Sequence, residues 1–101
     1  MLEKEIEKKL TDGIRKLGGR SYKWVSPGNN GVPDRILILP GGRIMFCELK
    51  TTTGSLSKLQ KMQTRILKTL GCDVRVLYGP DDVQHLLYQL IAEDMEGKYG
   101  V

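Results

Sequence analysis

Asp34, Glu48 and Lys50 are the residues whose types and spacing suit chemistry. Asp34 heads the apolar run Ile36-Leu37-Ile38-Leu39, and Glu48 and Lys50 close the run Ile44-Met45-Phe46-Cys47. Pro40-Gly41-Gly42 separates the runs and reads as a tight turn between two neighbouring strands. Residues two apart in a strand face the same side, so Glu48 and Lys50 project together and Leu49 points the other way. In a hairpin turning at 40–42, Glu48 returns beside Asp34. Two carboxylates placed so repel, and one takes up a proton unless a cation joins them. A divalent ion resolves the conflict. Mg²⁺ takes oxygen ligands, typically one or two carboxylates plus substrate phosphate, and the backbone carbonyl of Leu49 offers another oxygen. Such an ion acidifies a water and offsets charge developing on a phosphate. Lys50 could hold or help deprotonate that water and stabilise a pentacoordinate transition state. The competing reading of the bare pattern is a surface ion pair between Glu48 and Lys50, with Asp34 a turn residue.

The elements that must position these residues follow from periodicity. Leu2, Ile6, Leu10, Ile14 and Leu17 recur at helical spacing, and Gly18-Gly19 stops that helix. Ser21 to Val25 reads as a strand, and Pro27-Gly28-Asn29-Asn30-Gly31 as a loop of turn formers. Strands over 34–39 and 43–50 form an antiparallel hairpin. Thr51-Thr52-Thr53-Gly54 is a polar connection, and Ser55 or Ser57 caps a helix with the apolar stripe Leu59, Met62, Ile66, Leu67 and Leu70. Gly71 ends it, and Val74, Val76 and Leu77 make a fourth strand that Gly79-Pro80 stops. The passage from 43 to 78 allows a right-handed crossover, so those two strands run parallel. Asp81 or Asp82 caps a last helix through Val83, Leu86, Leu87, Leu90 and Ile91, and the tail after Glu96 reads as loosely ordered. The expected fold is α/β: a small mixed sheet flanked by helices.

The chain has 101 residues, enough for one domain over 1–101. No apolar run of about 18 residues predicts a membrane span, and the charged, periodic start is unlike a signal peptide. Cys47 and Cys72 lack zinc or redox spacing and read as reduced thiols of a cytoplasmic protein. The net charge of +4 and a pI near 9.2 favour polyanionic partners without proving them.

The chain resembles the VRR-NUC domain of the PD-(D/E)xK nuclease superfamily, in its stand-alone, phage or prophage form. The resemblance runs through Glu3-Lys4-Glu5-Ile6-Glu7, Lys23-Trp24-Val25-Ser26-Pro27-Gly28, Gly31-Val32-Pro33-Asp34-Arg35-Ile36, Gly41-Gly42-Arg43, Phe46-Cys47-Glu48-Leu49-Lys50, Leu56-Ser57-Lys58-Leu59-Gln60 and Leu70-Gly71. It implies a restriction-endonuclease-like αβββαβ core, to which this chain adds a C-terminal helix. It also implies hydrolysis of DNA phosphodiesters with Mg²⁺ or Mn²⁺. Asp34 and Glu48 would be metal ligands, Lys50 the catalytic lysine and Gln60 a supporting residue. Such domains add a glutamate from the first helix, for which Glu3 fits best and Glu7 competes. Lys23, Arg35 and Lys58 are the leading candidates for phosphate contacts, within a wider set that includes Arg20, Arg43 and Lys61. Trp24 reads as core more than as a base-stacking platform, and His85 has no role. Stand-alone members resemble dimeric enzymes that cut branched DNA such as Holliday junctions, so a homodimer in a bacterial or phage-infected cytoplasm is expected. The alternatives are a catalytically silent DNA-binding module of the same fold, and a flap or other DNA nuclease.

Overall fold

The computed structural model describes residues 2–99, with side chains through Glu96. Helix α1 (Glu3–Lys16) is followed by β1 (Arg20–Lys23), β2 (Arg35–Ile38), a 3-10 turn at Pro40–Gly42, β3 (Ile44–Lys50), α2 (Lys58–Thr69), β4 (Val74–Tyr78) and α3 (Gly79–Tyr99). The four strands form one sheet in the order β1-β2-β3-β4. β1, β2 and β3 pair antiparallel in sequence, and β4 lies parallel to β3 across the α2 crossover. The expected α/β class, element order and mixed sheet are therefore present.

The two amphipathic helices end alike. At α1 the Gly19 N–H donates to Ile14 O at 3.0 Å and the Gly18 N–H to Arg15 O at 2.9 Å. Gly18 takes φ +89, which a side chain would disfavour. This is a Schellman cap, and Gly71 and Cys72 repeat it on Lys68 and Leu67.

Ile6, Leu10 and Ile14 of α1 and Val83, Leu86, Leu87 and Leu90 of α3 bury against Leu37, Leu39, Met45, Cys47, Leu49 and Leu77 of the sheet. Strand side chains alternate, so this odd-numbered set defines one covered face. The even-numbered set, Asp34, Ile36, Phe46, Glu48 and Lys50, belongs to the opposite face, which α2 covers in part. Trp24 lies there half-buried, its ring 5.1 Å from that of Phe46, as a packing residue.

Three expectations need correction. β1 begins at Arg20 and ends at Lys23; Val25 is 69% exposed, because the chain turns away before Ser26-Pro27. The last helix continues through Tyr99, where a loose tail was expected; Gly100 and Val101 lie outside the described residues. The apolar stripe of α2 is not core: Leu59, Met62, Ile66 and Leu70 are 45–74% exposed, and the buried residue of α2 is Thr64.

Candidate active site

The hairpin register builds the site. Arg35 pairs with Cys47, so one step further places Asp34 opposite Glu48. Leu39 N–H bonds Arg43 O at 2.8 Å, and hydrogen-bonded pairs alternate with non-bonded ones. Asp34 and Glu48 therefore form a non-hydrogen-bonded pair, the kind in which facing side chains come closest. The same alternation turns the peptide groups of Leu49 toward the β2 side, where Asp34 stands.

Glu48 is 4% exposed. Its Oε2 accepts from Gln60 Nε2 at 3.1 Å and lies 3.7 Å from Lys50 Nζ. Asp34 Oδ1 is buried with no hydrogen-bond partner. Burial pushes the Asp34 carboxyl up to about 6, and burial with the Asp34 charge pushes Glu48 up to about 7. The Leu49 N–H pulls Asp34 the other way; Lys50 and the Asp34 N–H pull Glu48 the other way. Facing carboxylates both forced toward the neutral form, one with an orphaned buried oxygen, match the donor set of a hard divalent cation. Among the described residues no third His, Cys, Asp or Glu completes a metal-binding cluster.

Gln60 is fixed at both ends of its amide. Its Oε1 accepts from Ser57 N–H at 2.9 Å, while the Gln60 backbone N–H donates to Ser57 Oγ at 3.1 Å. The two residues make a capping box at the start of α2, and the free Nε2 arm reaches Glu48. Gly31 seats the Ser26–Gly31 loop on the same helical turn. At φ +93, a Cβ on Gly31 would lie 2.5 Å from the Leu59 carbonyl carbon and 2.9 Å from Gln60 N, so this loop lies against the turn that carries Gln60.

The structure brings Asp34, Glu48, Leu49, Lys50 and Gln60 together. Glu3 is exposed at the start of α1, and no hydrogen bond or ion pair joins it to the others among the described residues. Its charge, like that of Glu7, raises the Asp34 carboxyl. Glu7 is engaged elsewhere, by Arg35 Nη1 at 3.1 Å. Lys23 and Lys58 are exposed at the end of β1 and the start of α2.

Arg35 is a correction. Expected at a DNA phosphate, it is 7% exposed and bonds Ser21 Oγ, Ser21 O, Thr11 Oγ1 and Glu7. Adjacent strand residues point to opposite faces, so putting Asp34 on the site face sends Arg35 under α1. Ser57, expected only as a helix cap, and Gly31, expected only as a loop residue, also position Gln60. Their signals were present as the S-x-x-Q capping box and a glycine at the end of a turn-rich loop.

Known proteins complete this picture. The VRR-NUC domain profile matches residues 2–81. "Putative nuclease p44" of Acyrthosiphon pisum secondary endosymbiont phage 1 is 44% identical over 79 residues, spanning 78% of this chain and 85% of that protein. A solved structure described as a VRR_NUC domain superposes with TM-score 0.80 at 28% identity, over 85% of this chain and 94% of its own. A second, a VRR_NUC domain protein, shares the fold at TM-score 0.72 and 19% identity, over 91% of this chain and 89% of its own. With the profile spanning helix, hairpin, crossover and the facing carboxylates alike, the chain belongs to the VRR-NUC family of nuclease domains.

Proposed function

We propose that the chain is a single-domain deoxyribonuclease, dependent on Mg²⁺ or Mn²⁺, that hydrolyses phosphodiester bonds of branched DNA such as Holliday junctions. The observation that carries the reading is the orphaned Asp34 Oδ1 beside the Glu48 carboxylate, with Lys50 on the same face. Asp34, Glu48 and the Leu49 carbonyl would hold the ion, which supplies an acidified water and neutralises charge on the scissile phosphate.

The chain's own groups do the rest. Lys50 presents its ammonium beside Glu48, where it holds a water or a phosphate oxygen and stabilises the negative charge that develops there. Gln60 fixes Glu48 Oε2 so that the carboxylate is preorganised. Glu3 adds negative charge at the Asp34 side. Lys23 and Lys58 supply phosphate contacts from the two sides of the Ser26–Gly31 loop. A silent binding module would have no use for two facing carboxylates held at the cost of burial.

Paired cuts across a junction need two sites in a fixed relation, which a two-fold homodimer provides. The exposed stripes Leu59, Met62, Ile66 and Leu70 of α2 and Tyr88, Ile91 and Met95 of α3 support this assembly. The absence, among the described residues, of a helix long and apolar enough to cross a membrane is compatible with action in the cytoplasm of a bacterial or phage-infected cell.

The test is cleavage of labelled junction, flap and linear DNA with Mg²⁺, Mn²⁺ or EDTA. Junction cutting with either metal and none in EDTA is expected; no cutting of any substrate would overturn the enzyme reading. Sedimentation at micromolar concentration should show a dimer, and a clean monomer removes that part.

A further inference from the structure

Several cations outside α2 are held in ion pairs. Lys8 pairs with Asp12, Arg35 with Glu7, Arg43 with Glu93 and Asp73, and Arg75 with Asp73. Among the described residues, the cations of helix α2 form no ion pair. Its twelve residues include no Asp or Glu, and Lys61, Arg65 and Lys68 make no ion pair or side-chain hydrogen bond among the described residues. All three are exposed and fall at i, i+4 and i+7, on one side of the helix. That side is not the one carrying Leu59, Met62, Ile66 and Leu70. With Leu56, Thr64 and Thr69, the three cations line a groove of about 360 Å³. Every lining residue but Leu56 carries a hydrogen-bond donor, and none is acidic. The groove starts beside the connection that leaves β3 after Lys50, one turn from Gln60.

We propose that this groove is the track for the DNA backbone arm that leaves the active site. The inference rests on the nuclease reading for the identity of the polyanion. From Lys61 to Lys68 the helix rises about 10 Å, the length of a few nucleotides of one strand, whose axial rise is about 3.4 Å. Three unpaired cations over that length, without a carboxylate between them, suit the phosphates of one strand. A groove for an acidic protein surface would need no such alignment with the catalytic end of the sheet. The contacts are to phosphate, so they position the DNA without reading its sequence.

The test uses the full chain in EDTA, so that no cleavage intervenes. Binding of a labelled duplex is followed by anisotropy across a salt series. The variants are Lys61→Ala/Arg65→Ala/Lys68→Ala and, as an equal-charge control on α1, Lys8→Ala/Arg15→Ala/Lys16→Ala. Alanine at exposed helix positions favours the helix, and circular dichroism confirms the fold. The groove variant should bind at least tenfold more weakly at moderate salt. Its log–log salt slope should be shallower by about 2 to 3, at roughly 0.9 per duplex phosphate, with the control shifted by less than one. In a separate assay with Mg²⁺, single-turnover cleavage at saturating DNA should stay within about threefold of wild type. Affinity within twofold of wild type with an unchanged slope, or an equal loss in the control, overturns the proposal. A wild type that binds through the groove yet never cuts leaves the track standing and removes the nuclease reading.

Discussion

Gln60 Nε2 donates to Glu48 Oε2 at 3.1 Å while Gln60 Oε1 accepts the Ser57 N–H at 2.9 Å. One amide thus ties the start of α2 to the carboxylate it covers. The crossover helix is not simply packed on the sheet. Its cap is also the support of the site, so helix stability and carboxylate orientation are coupled.

That coupling is separable by mutation. Gln60→Ala should cost about 1–2 kcal/mol, through the capping box and the partner lost by a buried carboxylate. It should also slow single-turnover cleavage roughly 10- to 100-fold, by analogy with supporting residues around metal ligands. Ser57→Ala should cost about 1 kcal/mol with a smaller kinetic loss, because the Nε2 arm remains. Thermal melts and single-turnover rates measure the two effects; equal rate losses would show that Gln60 acts only as a cap.

Stability without metal should depend on pH in a defined direction. Burial pushes Asp34 up to about 6 and Glu48 up to about 7, from ordinary values near 4. Between those limits the folded chain binds more protons than the unfolded one, so these groups make stability fall as pH rises from about 4, with the loss complete above about 7. Asp34→Asn should therefore raise metal-free stability at pH 8 by about 1–2 kcal/mol once solvent screening is included. Mg²⁺ or Mn²⁺ should raise the wild-type Tm at pH 8 and have little effect at pH 5 or on the variant. Melts in EDTA and in metal across this range check the sign.

Arg35 and Lys23 should behave oppositely. Arg35→Ala leaves Ser21 and Glu7 without their buried donor and should cost roughly 2–3 kcal/mol, with DNA affinity of the folded protein unchanged. Lys23→Ala should leave the Tm unchanged and weaken DNA binding a few-fold. Denaturant unfolding and anisotropy binding distinguish them.

Gly31→Ala should reach the site through α2. A Cβ there meets the Leu59 and Gln60 backbone at 2.5–2.9 Å at a φ of +93, so the first helical turn must shift. Cleavage should fall more than DNA affinity. A Gly31→Ala enzyme with wild-type turnover would show that this contact does not position Gln60.

Periodicity and turn chemistry made most of the fold legible. The α1 stripe, the Pro-Gly-Gly turn and the glycine stops each carry a local signal that tertiary structure obeys. The site was legible where alternation was applied, as for Glu48 and Lys50, and lost where it was not, as for Arg35 next to Asp34. The faces of α2 were misread for a different reason. Its apolar stripe is a genuine helical pattern, but the sheet face beneath carries Glu48, so Gln60 and Thr64 turn inward and Leu59, Met62, Ile66 and Leu70 outward. A hydrophobic pattern shows which residues share a face, and only the tertiary partner decides which face is buried.

In the proposed enzyme, Asp34 and Glu48 share one divalent ion beside Lys50. A crystal soaked in Mn²⁺ tests it most directly, through the anomalous difference density. A peak within bonding distance of both carboxylates and the Leu49 carbonyl is expected. Saturating Mn²⁺ with no peak there, or a peak held by other residues, would contradict it.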